Sequence, residues 1–267
     1  MLLVTGAGAS SSSGLPTFSS GTHGLYRRAQ DHFGLRRGSS LFSGQFLLHR
    51  RTDALDFFAE LASECSAAPT PPAYTSIASI QHSSSPLLVR HLTLNIDGLS
   101  RRCCSQFNAQ TAGSTIELHG CVLDSACERC RSVALAHSHR AEKCPHCGTR
   151  NALRPAMMLY GDPHEELSTN TAYTAEQLKI DCQNCNVVLW IGVSFEQRAS
   201  AEHFYRINAC TGNSDNVLHC IVNPNAEDCI RNLTDSLQWD VSSSANIILA
   251  NVDADSFLEH LSAQSCS

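Results

Sequence analysis

The sequence predicts an α/β fold: a doubly wound, mostly parallel, Rossmann-like sheet with a smaller zinc-ribbon plus helical module. Three observations predict it. Short apolar runs such as Leu2-Leu3-Val4 and Asn186–Gly192 alternate with helical stretches, the pattern of an open parallel sheet. Several runs end in glycine or a polar residue (Gly6, Asn95, His119, Gly192, Asn223), and ligands of such sheets bind outside the carboxyl ends of the strands. Two Cys-x2-Cys pairs lie close together in mid-chain, as in a small metal-held ribbon.

The elements follow in order. Leu2-Leu3-Val4 reads as a buried strand running into Thr5-Gly6-Ala7-Gly8-Ala9-Ser10. Two glycines one residue apart let backbone N–H groups approach a phosphate, although such a turn alone is often only a turn. Residues 21–85 read as helical and loop-rich. Asp53–Leu61 has apolar side chains at helical spacing, with Thr52 or Asp53 as N-cap, and Pro69-Thr70-Pro71-Pro72 breaks the chain before a helix over Ala73–Ile80. Strands are expected at Pro86–Leu94, Ser114–Gly120, Asn186–Gly192, Val217–Pro224 and Ala245–Leu249, and a closing amphipathic helix at Asp255–Leu261. One domain, 1–267, results. Its sheet part takes about 1–20, 86–120 and 154–267, the helical insertion about 21–85 and the zinc module about 121–153.

Composition narrows the function. Apolar residues make up 42% and charged residues 16% of 267, as in a soluble globular chain. A net charge of −6 argues against direct nucleic-acid binding. No apolar run nears the roughly 18 residues that span a bilayer, so no membrane is expected. No signal peptide is read, and 14 cysteines in such a chain point to reduced thiols and metal ligation within the cell. The first strand begins at once, where a helix often precedes it, which suggests a missing segment.

Cys127, Cys130, Cys144 and Cys147 form two knuckles 13 residues apart, slightly under the usual ribbon spacing. Four thiolates leave a zinc ion no open position, so the metal is structural. His146 is an outside candidate for one ligand position. Cys182-x2-Cys185 has no partner pair and reads as packing, with redox or metal use as the alternative. Cys65, Cys103, Cys104, Cys121, Cys210, Cys220, Cys229 and Cys266 read as buried or incidental thiols.

Together these pieces resemble the sirtuin family of NAD-dependent protein lysine deacylases. The matching residues are Gly6–Ser10 with Ser13-Gly14-Leu15-Pro16 and Phe18; Asn95–Leu99; His119-Gly120; the four cysteines; Arg154-Pro155 with Leu159–Asp162; Gly192-Val193-Ser194; and Asn223-Pro224. The stretch Arg154–His164, with the segment before Leu41-Phe42, is similar to the nuclear, fungal-type histone deacetylase branch.

The resemblance implies NAD across the strand ends and one structural Zn2+. Gly6, Ala7, Gly8, Ser10, Gly14, Pro16, Phe18, Tyr26, Asn95, Ile96, Asp97, Gly192, Ser194 and Asn223 would line the cofactor site. The backbone around Ala7 and the following helix would hold the pyrophosphate. Asp97 would bind the carboxamide, Phe18 would screen the reacting sugar carbon, and Ser194 with Asn223 would bind the adenosine half. Asn95 would position the ribose and a water, and His119 would be the general base. The partner would be an acyl-lysine protein or peptide, a histone included, pairing its backbone near Gly161 and Gly192. The branch resemblance favours the nucleus over the cytoplasm.

Three positions depart from the family pattern. Thr17 and Ser19 stand where Asp and Arg are usual around Phe18, Leu94 stands where Gln precedes Asn95, and Val193 mildly replaces Thr. Each lost hydrogen bond to a charged group weakens binding or rate by about 1.5–3 kcal/mol. Two alternatives therefore stand beside deacylation: a weak or inactive module that binds NAD, ADP-ribose or peptide, and a mono-ADP-ribosyltransferase.

Overall fold

The computed structural model describes residues 1–18, 24–83, 88–106, 112–135, 142–162, 173–211, 217–239, 241 and 246–265. Ser19, Pro86-Leu87, Pro163-His164, Ala245 and Cys266, all named above, lie outside the described residues.

Six strands form one parallel sheet in the order β3-β2-β1-β7-β8-β9: β1 (Leu2–Thr5), β2 (Arg90–Thr93), β3 (Thr115–Glu117), β7 (Val187–Ile191), β8 (Leu218–Val222) and β9 (Asn246–Ala250). Val188, Leu189, Trp190 and Ile191 are buried between two helical layers, which is why this stretch reads as continuously apolar. Leu2, Val4 and Trp190 face α5 (Ala175–Gln183), α6 (Arg198–Cys210) and α7 (Ala226–Leu237). Leu3, Leu189 and Ile191 face α4 (Pro72–Gln81) and α8 (Ala254–Ser265). The sheet is doubly wound, as the sequence predicts.

A second sheet, β5-β4-β6, is antiparallel: β4 (Gly120–Cys127), β5 (Val133–Leu135) and β6 (Leu153–Met157). Beside it, α1 (Leu25–Phe33), α2 (Gly44–His49) and α3 (Arg51–Ala67) bury Phe46, Phe57, Phe58 and Leu61 against Val122, Met157 and Leu159. Two segments sit elsewhere than the sequence grouping puts them. Arg154-Pro155 pairs in the small sheet through Ala126 and Ser125, and α4 packs on the large sheet.

The cap of α3 also differs. Its N-cap is Arg50, with no side-chain bond, because α2 runs almost directly into α3. Asp53 instead lies in the first turn, paired with Arg50 at 2.6 Å, where a carboxylate favours the positive end of the helix dipole. After β1 the chain forms a 3-10 helix over Ala7–Ser13, where the tight i to i+3 turns suit a short, small-residue segment.

Candidate active site

The large-sheet strand ends, the helical module and the segment after β6 enclose a cavity of about 270 Å³. It is lined by Gly6, Ala7, Gly8, Phe18, Tyr26, Asn95, Ile96, His119, Gly192, Ser194 and Asn223 among the expected residues. A smaller adjoining recess is lined by Ala7, Ser10, Pro16, Phe18, Asn95, Ile96 and Asp97. Phe18 lines both spaces and is packed edge-on and tilted against Phe42 and Tyr26, with ring centroids 5.5 and 5.6 Å away. Of the expected cofactor residues, Gly14 lines neither space. It ends the 3-10 helix at φ 80°, a left-handed conformation that suits glycine.

The glycine turn has a reason beyond a ligand. A Cβ on Gly8 would stand 2.6 Å from Gly192 Cα, and one on Gly6 2.7 Å from Gly192 O. The loops after β1 and β7 touch backbone to backbone. Gly8 N–H donates to Gly192 O and Gly6 N–H to Ile191 O, both at 2.9 Å. The glycines' own N–H groups are therefore engaged within the protein, which leaves Ala7, between them on the cavity wall, as the backbone position for an anion.

Asn95 is fixed by three contacts. Its Nδ2 donates to Gly6 O at 2.9 Å, to the Tyr74 hydroxyl at 2.8 Å and to Ser10 Oγ at 3.2 Å. A carbonyl can only accept, so these contacts set the amide's orientation. Ser10 Oγ donates to Asp97 Oδ2 at 2.6 Å, and Leu99 N–H donates to Asp97 Oδ1 at 2.9 Å. Burial raises the Asp97 pKa above the ordinary carboxylate value, while these two donors oppose the rise. Asn95, Tyr74, Ser10 and Asp97 thus form one preorganised polar chain along the recess.

His119 lies in the turn between β3 and β4. Its Nδ1 donates to Leu94 O at 3.0 Å, and Nε2 contacts His203 Nε2 at 3.1 Å. Burial lowers its pKa to about 4, so the ring is neutral near pH 7. The Leu94 side chain, at the position of the family's glutamine, packs in the sheet core, while its carbonyl orients the base. Thr17 lines the cavity.

Residues 6–199 match the Sir2 family model. The chain belongs to the Sir2 family. It is 31% identical over 194 residues to an NAD-dependent protein deacylase of Ralstonia nicotianae, covering 70% of this chain and 69% of that protein. It is 33% identical over 180 residues to NAD-dependent protein deacylase 2 of Pseudomonas aeruginosa, covering 65% of each. The matched stretch therefore spans about two thirds of these relatives. The fold is similar to a Sir2 homologue in complex with ADP-ribose (TM-score 0.72, 18% identity, 99% of this chain and 90% of that one). It is also similar to a Sir2 homologue in complex with NAD (TM-score 0.70, 19% identity, 99% and 88%).

The four cysteines of this Sir2 chain converge as expected. Their sulfurs lie within 4.8 Å of one another, with Cys127–Cys147 and Cys130–Cys144 both at 3.8 Å. Tetrahedral Zn–S bonds of ~2.3 Å require sulfurs ~3.8 Å apart, so the tetrad fits one structural zinc. His146 is outside the tetrad and exposed. Cys182 and Cys185 are buried in the large-sheet core, as packing requires.

The peptide-pairing expectation is narrowed. Gly192 N–H donates to Val222 O and Gly192 O accepts from Gly8, so Gly192 cannot itself pair with an added strand. Tyr160 is likewise paired with Phe42 and Gly44 through its backbone. The sequence reading missed His203, Tyr74, Tyr160 and Gln197 as site residues. The Tyr26 hydroxyl donates to Gln197 Oε1 at 3.2 Å and lies 3.5 Å from the Tyr160 hydroxyl, joining three distant segments on the cavity wall. Nothing in the spacing of these residues signals that meeting.

Proposed function

We propose that this Sir2-family chain is an NAD-dependent protein lysine deacylase that moves the acyl group to ADP-ribose and releases nicotinamide. The observation that carries this reading is the neutral imidazole of His119, oriented by Leu94 O, sharing one cavity with the fixed amide of Asn95. When bound, NAD supplies a ribose carbon activated by the departing nicotinamide. Ala7 N–H would meet the pyrophosphate, and Ser194 and Asn223 the adenosine half. Asp97, held by Ser10 and Leu99, would accept from the carboxamide in the recess. Phe18, between recess and cavity, would exclude water from the sugar carbon. His119 would take a ribose hydroxyl proton at Nε2, the nitrogen left without hydrogen once Nδ1 donates to Leu94.

The test is sustained nicotinamide release with acetylated, longer-acyl and unmodified peptides. Release should require an acyl-lysine and fall by about 10²–10⁴-fold in His119→Ala. Equal turnover in that variant refutes the assignment of the base. A histone tail is the substrate we favour, and the nucleus the compartment, on the resemblance around Arg154–Asp162. Acetylated histone peptides competed against unrelated acetyl-lysine peptides, and microscopy of a tagged chain, check both. The ends of that motif, Arg154 and Asp162, form a buried ion pair at 2.5 Å, which also gives them a structural role.

A second reading, ligand binding without brisk turnover, is favoured by Leu94 and Thr17 on the cavity wall. Calorimetry would then record ADP-ribose binding while nicotinamide release stays at background. Leu94→Gln with Thr17→Asp would raise turnover if these two departures limit it.

A further inference from the structure

The base of the proposed reaction is held at both ring nitrogens. Nδ1 faces Leu94 O at 3.0 Å, and since a carbonyl only accepts, Nδ1 carries the hydrogen. Nε2 then has a lone pair and no hydrogen. That lone pair faces His203 Nε2 at 3.1 Å, so His203 is the donor. The two rings stand 5.2 Å apart between centroids, tilted by 43°.

His203 comes from a different part of the chain. It sits on α6, whose Ala201, Phe204 and Ile207 anchor that helix in the large-sheet core. The segment leading into α6 lines the cavity through Ser194, Glu196, Gln197, Ala199 and Ser200. The cofactor wall and the partner of the base therefore lie on one continuous stretch.

The surroundings keep both rings uncharged. Burial lowers His203 to about 3, and the positive charges of His119 and Arg206 push it the same way. On the His119 side the groups in contact are Leu94 O and His203. Glu196 is the one carboxylate among the residues lining the cavity. A donor at Nε2 stabilises the neutral form of His119 and competes with any hydroxyl that approaches the same lone pair.

We propose that His203 is a positioning residue that caps the base: its Nε2–H occupies the lone pair of His119 Nε2, and a ribose hydroxyl must replace it before giving up its proton. This rests on His119 acting as the base. In the exchange the His203 N–H leaves His119 and the hydroxyl O–H takes its place. The O–H bond then breaks, an N–H bond forms at His119 Nε2, and the electron pair stays on the oxygen. His203 thereby sets how readily the base engages, without touching the reacting atoms.

Nuclear magnetic resonance of the full chain with 15N-labelled histidine tests the cap directly. The unaltered protein should show a coupling between the two Nε2 nuclei across the hydrogen bond, with His119 protonated at Nδ1. His203→Leu removes the donor at similar size; His203→Gln keeps an amide donor. In the leucine variant the coupling should vanish and the His119 titration should rise by about half a unit to one unit. The acid limb of acyl transfer should move up with it, while nicotinamide exchange, which precedes proton removal, keeps its rate. The glutamine variant should stay near the unaltered protein in both titration and acid limb.

Absence of the coupling in the unaltered protein overturns the cap, and does so even if neither variant folds. A His119 titration that stays put or falls in the leucine variant also overturns it, since His203 then only packs or stabilises the imidazolium. The two readings fail separately: coupling and titration test the cap, and nicotinamide release tests the reaction.

Discussion

The cysteine module and the cavity are built on opposite plans. The module draws its four ligands from 21 consecutive residues, Cys127–Cys147, and its sulfurs already stand at tetrahedral spacing. The cavity draws on positions from Gly6 to Asn223, and its lining combines apolar rings, one amide and one imidazole. A closed set of four thiolates has no position left for a substrate. An open cavity whose groups are fixed by second partners can do chemistry, because its donors and acceptors are oriented before a ligand arrives. None of the four cysteines lines the cavity. The two regions meet through β4, which runs from Gly120, beside His119, to Cys127.

Removing one ligand tests the division most severely. In zinc-finger peptides structural zinc supplies about 10–16 kcal/mol of apparent binding energy, which is also folding energy. Cys144→Ser should lose the metal and open β4–β6 to hydrogen exchange while the protection of β7 and β8 persists. Uniform loss of protection in both sheets would show that the two regions fold as one unit.

A smaller effect is expected at the contact between the two glycine loops. Gly192 has φ 64°, and a Cβ there would stand 2.6 Å from Gly8 Cα and Ala9 N. Gly192→Ala should lower stability by about 1–3 kcal/mol, read as a drop in melting temperature. It should also weaken ADP-ribose binding by displacing Ala7, while zinc content stays at one ion per chain. Unchanged binding would separate the glycine contact from the cofactor site.

The smallest effect is that of acid on the large sheet. His91, between the hydroxyls of Thr5 and Thr115, and His219, which accepts from the Trp190 indole, are both buried within it. Burial lowers them to about 3 and about 4, against about 6.5 in an unfolded chain. Between those values the unfolded chain binds more protons. The stability these two groups contribute is therefore complete above about pH 6.5 and is lost as pH falls toward 4, by at most about 1.4 kcal/mol per group per pH unit. Urea titrations at pH 7, 6 and 5 should follow that slope, and His91→Gln should flatten it. An equal slope in the variant would put the acid sensitivity elsewhere.

Much of this chain was legible in its sequence. The apolar runs at Leu2–Val4 and Val187–Ile191 announced buried parallel strands, because a strand covered on both faces has no polar alternation to keep. The cysteine knuckles were equally plain, since their geometry is local. Asn95, Asp97 and His119 could be singled out because each stands at or near a strand end, where a parallel sheet opens toward ligand. The helix start at Arg51 was not legible, because the neighbouring helix α2 set it and no capping residue did.

By itself the sequence determined the α/β class, the position of the crevice and the set of metal ligands, all of which depend on periodicity or short spacing. Only the tertiary structure decided which partners those residues have. The Gly6 and Gly8 amides turn inward because the β7 loop reaches them. Tyr74 holds Asn95 because α4 packs on the large sheet. His203 meets His119 across 84 positions because α6 lies against the strand ends. Hydrogen-bond partners are chosen by proximity in space, and a sequence carries proximity only where the chain is short between them.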